Sequence, residues 1–188
     1  MSTKPHYLGV DGGGSKTLAV IVDAQGHERS RGRAGSANYA AVGLEQALQN
    51  IYAAVQQAVS EVPCSLPLTK AWLGLAGIDR PSDATLLGSY LRELATFVLV
   101  TNDAELLLSA LGKQAGIVLI VGTGSIALAR DQEGNVSRVG GWGHILGDEG
   151  SGYDIGRWGL QAAVRAADGR GQHVEHPAFS AACAAITL

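Results

Sequence analysis

Two segments of the sequence, about 110 residues apart, repeat one order of local patterns. The first is VDGGGSKTLAVIVDAQGHERS, residues 10–30, and the second is VGTGSIALARDQEGNVSR, residues 121–138. Each predicts a strand, a glycine-rich hairpin turn followed by a small polar residue, a second strand, an Asp-x-x-Gly turn and a third strand. This duplication predicts two similar α/β lobes, an N-terminal lobe of residues 1–113 and the first part of a C-terminal lobe, residues 114–188.

Hydrophobic periodicity predicts the remaining elements of both lobes. Residues 40–61 carry apolar side chains three and four positions apart, which is typical of an amphipathic helix, and Pro63 and Pro67 end it. Further helices are predicted at 81–95, 104–112 and 150–167, and strands at 6–12, 16–23, 27–35, 70–77, 97–103, 115–125, 126–134 and 135–143. The final segment, FSAACAAITL, has the composition of a helix interior, so we expect an incomplete second lobe and a longer parent protein.

Composition and charge exclude several classes of function. The net charge of −3, without a basic run, argues against nucleic acid as a partner. No apolar run approaches the roughly 18 residues of a membrane-spanning helix, and the N-terminus lacks the apolar core of a signal peptide. Cys64 and Cys183 lie far apart and form no CxxC motif, so we expect a cytoplasmic protein without a structural zinc or iron–sulfur site.

The two glycine-rich turns are the strongest functional signal in the sequence. A tight turn of bare backbone presents several N–H groups in one direction, and such a nest binds phosphate oxygens. If the two lobes face each other, a polyphosphate is held from both sides. The predicted phosphate contacts are Gly12, Gly13, Gly14, Ser15, Lys16 and Thr17 in the first turn, and Gly122, Thr123 and Gly124 in the second.

Three common types of glycine turn fit these segments less well. An ordinary hairpin needs one glycine, as in Asp-Gly, whereas the first turn has three in succession. No GxxxxGK[ST] motif occurs, which excludes a Walker A loop, and the first turn leads into a strand rather than a helix, which excludes a Rossmann fingerprint. Lys16 is open to either interpretation, as a phosphate contact or as a solvated strand residue.

Asp11 directly precedes the first turn. A carboxylate beside bound phosphates repels them unless a cation lies between, and water-bound Mg²⁺ meets that need. We therefore predict Asp11 as the metal-binding residue, with Mg²⁺ as the bound ion. The alternative is an aspartate that caps its own turn.

Four motifs together resemble a known family. They are Asp-x-Gly-Gly-x-x-Thr at the first hairpin, TNDA after the fifth strand, GTGS at the second turn, and GGWGHILGDEGSGYDIG at residues 140–156. The chain resembles the N-acetylglucosamine/glucosamine kinase group of the benzoyl-CoA reductase and hydroxyglutaryl-CoA dehydratase activator ATPases, within the actin-like ATPase and sugar kinase superfamily. The resemblance covers about residues 6–165, and the last motif is the most specific.

The resemblance implies a fold of two ribonuclease-H-like lobes and an activity. The activity is transfer of the γ-phosphoryl group of Mg·ATP to a hydroxyl of an amino sugar, N-acetylglucosamine or glucosamine. It further implies that Asp103 is the catalytic base and that the adenosine-binding motif lies beyond the end of this sequence. The sugar contacts it implies are Asn38, Asp103, Thr123, Ser125, Trp142, Gly143 and Asp148.

Each of these side chains also has a structural interpretation. Asp103 precedes a predicted helix and is a favoured N-cap residue, although Asn102 is a rival for that position. Asp148 is placed to interact with a helix dipole, and Trp142 suits a core position as well as a ligand contact. Asn38 follows a Gly-Ser loop and is equally suited to a turn.

Two further functions compete with the kinase hypothesis. One is an ATPase that drives a partner redox enzyme, as in the activator branch of the family, but neither cysteine follows a glycine-rich turn as a cluster ligand would. The second is a non-catalytic sugar or nucleotide sensor, which would need neither Asp11 nor Asp103. The oligomeric state is left open, with a homodimer as one alternative.

Overall fold

The computed structural model describes residues 5–78, 80–112 and 114–172. Close packing of Cα atoms divides the chain into two compact units. The first unit extends to Val118 and includes Arg130–Asn135, and the second comprises Leu119–Ala129 and the chain from Val136 onward. The lobe boundary between residues 113 and 114 stays a prediction.

Strands and helices of the first unit follow the order predicted from the sequence. They are β1 (Tyr7–Gly12), β2 (Thr17–Val22), β3 (Glu28–Ala34), α1 (Tyr39–Val42), α2 (Leu44–Ser60), β4 (Leu68–Leu75), α3 (Pro81–Tyr90), a 3₁₀ turn (Arg92–Leu94), β5 (Ala95–Asn102) and α4 (Asp103–Ser109).

The sheet of the first unit has the order β3-β2-β1-β4-β5. The hairpins β1–β2 and β2–β3 are antiparallel, whereas β1, β4 and β5 run parallel. In register, Gly12 at the end of β1 pairs with Leu75 of β4, which pairs with Asn102 of β5. Carboxyl ends of parallel strands commonly carry ligand sites, and here the first glycine turn and Asp103 both follow this edge of the sheet.

The core of the first unit lies between this sheet and α2. As the periodicity predicts, Ile51 and Val55 of α2 are fully buried, and they belong to the same cluster as Val10 and Ile21 of the sheet. α2 also lies very close to β3, because a Cβ built on Gly32 would be 2.0 Å from the carbonyl oxygen of Ala54. Burial of such side chains contributes roughly 1.5–3 kcal/mol each and fixes the sheet that carries the candidate site.

The second sheet comprises β6 (Gly116–Val121), β7 (Ser125–Arg130) and β8 (Val136–Gly140), in that order. It is followed by α5 (Gly143–Leu146) and α6 (Gly152–Ala167). Like β1, β2 and β3, these strands follow one another with a glycine turn in the first connection and an Asp-x-x-Gly turn in the second.

The two Asp-x-x-Gly turns, at residues 23–27 and 131–135, have the same hydrogen bonds. In each, the aspartate N–H donates to the carbonyl of the residue four positions later, at 3.0 and 3.1 Å. That residue donates its own N–H to the aspartate Oδ1, at 3.0 and 2.8 Å. The glycine has a φ of +81° in one turn and +89° in the other, a conformation that glycine adopts without strain. The repetition seen in the sequence therefore extends to the backbone of these turns.

The structure corrects several predicted boundaries. The helix predicted at 40–61 is divided in two at Gly43, which has a φ of +82°. The helix predicted to reach residue 95 ends at Tyr90, because a 3₁₀ turn leads directly into β5 at Ala95. The final segment, FSAACAAITL, lies outside the described residues. Among the described helices, none has the length and apolar character needed to cross a membrane.

Candidate functional site

The first glycine turn connects β1 to β2 and is held by backbone hydrogen bonds. Gly13 donates its N–H to the carbonyl of Lys16 at 2.9 Å, which closes the hairpin. The carbonyl oxygens of Gly12 and Gly13 accept from Ala76 at 2.8 Å and from Ala37 at 3.2 Å. These two carbonyls therefore point toward the protein, and the loops after β3 and β4 fix the turn.

Gly12 and Gly13 of this turn differ in whether the surrounding protein leaves room for a side chain. A Cβ on Gly12 would lie 2.5 Å from Cδ2 of Leu75 and 2.8 Å from Cβ of Ala37, so protein packing excludes any side chain there. A Cβ on Gly13 would lie 3.5 Å from the Lys16 carbonyl oxygen, an ordinary contact distance. Gly13 is also not among the described glycines with a positive φ. Neither packing nor a positive φ therefore requires glycine at position 13.

Thr17 has a structural role in the hairpin. Its side chain is fully buried, and its hydroxyl donates to the carbonyl of Gly35 at 2.7 Å. This bond ties the start of β2 to the end of β3. A buried hydroxyl committed to a carbonyl supports the turn from behind and is not exposed to a phosphate.

Asp11, the predicted metal residue, is exposed on β1 next to the turn. Within the described residues, no cluster of three or more His, Cys, Asp or Glu side chains gathers as a metal centre would. A single accessible carboxylate does fit Mg²⁺ that arrives bound to nucleotide phosphates, because such Mg²⁺ keeps several waters and takes one or two protein carboxylates.

Asp103 begins α4, directly after β5. Asn102 is the N-cap of this helix, since its Oδ1 accepts the Ala104 N–H at 2.8 Å and its Nδ2 donates to the Ile78 carbonyl at 3.1 Å. The rival assignment of Asn102 as the cap is therefore confirmed. Asp103 is half-buried, and its Oδ1 also lies 2.9 Å from the Ala104 nitrogen.

Asn38 lies close to the same edge of the first sheet. Its Oδ1 accepts the Ala40 N–H at 3.2 Å, which makes it the N-cap of α1. A Cβ on Gly77 would lie 2.4 Å from that oxygen, so the loop after β4 packs directly against Asn38. Ile78, the next residue of this loop, accepts from Asn102. The predicted sugar contact Asn38 and Asn102, the residue before Asp103, thus contact one continuous loop.

The second glycine turn, residues 122–125, is bound to the loop that precedes α6. The carbonyl of Gly122 accepts the Gly152 N–H at 2.8 Å. Ser125 donates its N–H to Oδ1 of Asp148 at 2.9 Å and its hydroxyl to the Glu149 carbonyl at 3.0 Å. The turn and this loop, both within the second unit, are therefore joined by backbone and side-chain bonds.

The second turn also contains one glycine without room for a side chain and one with room for it. A Cβ on Gly124 would lie 2.7 Å from Oδ1 of Asp148, so a carboxylate excludes a side chain there. A Cβ on Gly122 would meet no atom within 4 Å, and its φ is not positive. Each turn thus contains one glycine that the protein requires and one that it does not.

Trp142 is not a core residue. Its side chain is 67% exposed, and the Arg138 guanidinium lies 4.8 Å from the ring centroid in a cation–π contact. The residue precedes α5, which begins at Gly143 with a φ of +78°. An exposed indole next to bare backbone is well suited to pack against the face of a sugar ring.

An ion pair between the buried Asp154 and the exposed Arg157, at the start of α6, is a feature that the sequence reasoning missed. Asp154 is buried, and its Oδ1 accepts from Arg157 at 2.7 Å while its Oδ2 accepts the Gly150 N–H at 3.0 Å. The Arg157 hydrogen bond and then the Gly150 amide hold the pKa of Asp154 below its ordinary value. The fully buried Ser151 accepts the Asp154 N–H as the cap of α6. A serine followed three positions later by an acidic residue is the signal that could have identified this helix start.

Cys64 is half-buried, and burial raises the pKa of its thiol. A raised pKa keeps the thiol protonated at neutral pH and makes it a weak nucleophile. Cys183 lies outside the described residues.

Comparison with known proteins places this geometry in a family. The sequence profile of the BadF/BadG/BcrA/BcrD ATPase family matches residues 8–187. An N-acetylmuramic acid/N-acetylglucosamine kinase of Clostridium acetobutylicum is 37% identical over 171 residues, 89% of this chain and 56% of that protein. An N-acetyl-D-glucosamine kinase of Dictyostelium discoideum is 36% identical over 179 residues, 88% of this chain and 56% of that protein. The chain spans about half the length of the curated relatives it matches.

Solved structures agree on the fold. The structure of a candidate N-acetylglucosamine kinase from Chromobacterium violaceum matches with a TM-score of 0.76 and 30% identity, over 91% of this chain and 61% of that one. A ROK family glucokinase from Streptomyces griseus matches with a TM-score of 0.58 and 21% identity, over 87% of this chain and 62% of that one, which is a likeness of fold. The predicted fold class, α/β lobes of the actin-like ATPase kind, is confirmed.

Proposed function

Because the chain belongs to the BadF/BadG/BcrA/BcrD ATPase family, we propose that the protein is an ATP-dependent amino-sugar kinase. The substrate class is N-acetylglucosamine or glucosamine, and the phosphoryl donor is Mg·ATP. The observation that carries this proposal is the match to two curated amino-sugar kinases at 36–37% identity over nearly nine-tenths of the chain.

The glycine turns bind the phosphate groups of the nucleotide. The support for this assignment is that Gly13 and Gly122 have room for a Cβ and lack a positive φ that would require glycine. Backbone amides in such turns bind phosphate oxygens, and bare backbone allows the close approach. The other predicted phosphate contacts belong to the same two loops. Thr17 has a supporting role there, because its buried hydroxyl holds the first loop in place.

Asp11 binds the magnesium ion of Mg·ATP. Its exposed carboxylate is next to the first turn, and a nucleotide-bound Mg²⁺ needs few protein ligands. The ion supplies charge neutralisation on the phosphate groups.

Asp103 accepts the proton of the sugar hydroxyl. The hydroxyl oxygen forms a bond to the γ-phosphorus as the bond from that phosphorus to the bridging oxygen breaks, and ADP leaves. Asn102 serves as the helix cap, so the Asp103 carboxylate is not the only group that satisfies the Ala104 amide. Its position at the end of β5, on the sheet edge that carries the first turn, suits a base that acts beside bound phosphates.

The candidate sugar contacts differ in their chemistry. Asn38 presents a side-chain amide beside the loop after β4, and the exposed Trp142 offers an apolar face beside Gly143. Aromatic faces pack against the C–H groups of sugars, and short polar side chains fix the hydroxyls. The polar contacts of the second unit are Thr123, Ser125 and Asp148.

A coupled assay that measures ADP release tests this function. The protein is incubated with Mg·ATP and a panel of hexoses and amino sugars, and the sugar phosphate is identified by mass spectrometry. We expect sugar-dependent ADP release with an amino sugar and its loss in Asp103→Asn. ADP release that does not depend on any sugar, with no phosphorylated product, would contradict the proposal and favour an ATPase.

A further inference from the structure

We propose that Asp148 is a positioning residue that holds the second glycine turn in its phosphate-binding shape, while its other oxygen contacts the sugar. One carboxylate would then join the sugar site to the phosphate-binding turn. This inference rests on the proposed function, because the turn and the sugar site are assigned there.

Two contacts with the second glycine turn place the carboxylate of Asp148. It is buried, with 9% of the residue exposed, and Oδ1 accepts the Ser125 N–H at 2.9 Å. Gly124 is bare backbone at the point where a Cβ would lie 2.7 Å from Oδ1 and 3.1 Å from Oδ2. The turn therefore has a shape into which this carboxylate fits, and glycine at position 124 is required by it.

The backbone of Asp148 is held in the conformation that this contact needs. Its φ is +63°, and it is the only non-glycine residue with a positive φ among the described residues. Its carbonyl accepts the Ser151 N–H at 3.0 Å, and Ser151 is the fully buried cap of α6. A residue keeps such a sparsely populated conformation only where the surrounding structure fixes it.

The Oδ2 atom is the half of the carboxylate that the protein does not use. Within the part of the chain that the structure describes, Oδ1 takes the Ser125 amide and Oδ2 accepts no hydrogen bond. A carboxylate oxygen accepts strongly from a hydroxyl group. Oδ2 therefore receives a sugar hydroxyl without releasing the turn.

Two substitutions separate the roles of the two oxygens. Asp148→Asn keeps an oxygen acceptor for the Ser125 amide and tolerates a positive φ, but it loses the charge. Asp148→Gly removes the whole carboxylate, and it adopts a φ of +63° without strain, so backbone strain does not explain its effect. Gly124→Ala displaces the carboxylate from the other side of the contact.

The matched control is Asp131→Ala. It removes the same kind of bond, from the Asn135 N–H to a carboxylate Oδ1 at 2.8 Å, at the β7–β8 turn outside the candidate site. We expect this variant to leave Ser125 and both ligand affinities unchanged.

The first measurement is amide hydrogen exchange at Ser125 in the 188-residue chain. We expect Asp148→Gly and Gly124→Ala to accelerate exchange by about tenfold or more, as for loss of a hydrogen bond to a charged group. Asp148→Asn should keep the rate within about threefold of the unsubstituted protein. An unchanged rate in Asp148→Gly would overturn the inference, whether or not the protein is a kinase.

The second measurement is the separate affinity for Mg·ATP and for N-acetylglucosamine, with the same substitutions made in the full-length protein. We expect Asp148→Gly to weaken both ligands by about tenfold or more, and Asp148→Asn to weaken the sugar alone. Equal loss of Mg·ATP affinity in both variants would contradict the positional role. If the unsubstituted protein binds neither ligand, the proposed function fails and with it the ligand part of this inference, whereas the exchange experiment still decides the link between Asp148 and Ser125.

Discussion

Substitution of two adjacent glycines separates packing from ligand binding in the first turn. Gly12→Ala places a methyl group 2.5 Å from Cδ2 of Leu75 and 2.8 Å from Cβ of Ala37. Leu75 and Ala37 are both fully buried, so neither has room to move away. Gly13→Ala places its methyl group 3.5 Å from one carbonyl oxygen, where no atom needs to move.

The expected magnitudes follow from these distances. Overpacking of a buried site costs typically about 1–3 kcal/mol, and two contacts below 3.0 Å favour the upper half of that range for Gly12→Ala. Gly13→Ala should be neutral or stabilising by up to about 1 kcal/mol, because alanine restricts the unfolded chain at a compatible position. For the affinity for Mg·ATP, Gly13→Ala should be the more damaging substitution. It should lose at least about tenfold in affinity, or roughly 1.4 kcal/mol of binding free energy.

Urea unfolding and calorimetric titration with Mg·ATP measure the two effects. A loss of about 2 kcal/mol lowers the urea midpoint by roughly 1 M for a typical dependence on denaturant. If Gly13→Ala unfolds as early as Gly12→Ala, the packing argument is wrong. If it is stable and binds Mg·ATP as tightly as the unsubstituted protein, bare backbone at position 13 is not needed by a phosphate.

Three further predictions concern acidic residues. Asp103→Asn should abolish phosphoryl transfer while sugar affinity stays within about tenfold, and intact turnover with lost sugar binding would refute its role as the base. Asp11→Ala should weaken Mg·ATP more than the sugar in direct titrations, and the reverse order would remove Asp11 from the metal site. Arg157 and the Gly150 amide stabilise the charged form of Asp154 and hold its pKa below the ordinary 3.8. The ionised Asp154 should therefore make its full contribution to the free energy of unfolding above pH 3.8. This contribution is lost as the pH falls through the pKa of the folded state. The unfolding free energy of Asp154→Asn should therefore decline less steeply below about pH 4 than that of the unsubstituted protein, and an equal decline would contradict this role of Asp154.

Patterns local in the sequence predict much of the fold. The Asp-x-x-Gly turns, the glycine hairpins and the amphipathic face of α2 depend on residues within a few positions of one another. Ile51 and Val55 accordingly lie in the core, and Asn102 caps α4 as its sequence position indicates. The end of α3 at Tyr90 is not predicted, because the 3₁₀ turn that follows it has no strong sequence signal.

Contacts between distant residues are not accessible from the sequence. The role of Gly12 depends on Leu75 and Ala37, and the role of Gly124 depends on Asp148. The pattern of the turns assigns both glycines to phosphate, yet packing alone requires each of them. Only contacts in three dimensions distinguish them from Gly13 and Gly122, because all four lie in equivalent glycine-rich runs.

Binding of phosphate by both glycine turns underlies the proposed function, and the amide resonances of glycine measure it directly. With ¹⁵N-glycine labelling, titration with Mg·ATP should shift the signals of Gly13 and Gly122. The signals of Gly26 and Gly134, in the repeated Asp-x-x-Gly turns, serve as controls and should stay in place. We predict that, of these four glycines, only Gly13 and Gly122 show shifted signals. If the nucleotide binds but the signals of both glycine turns stay unchanged, the account is contradicted.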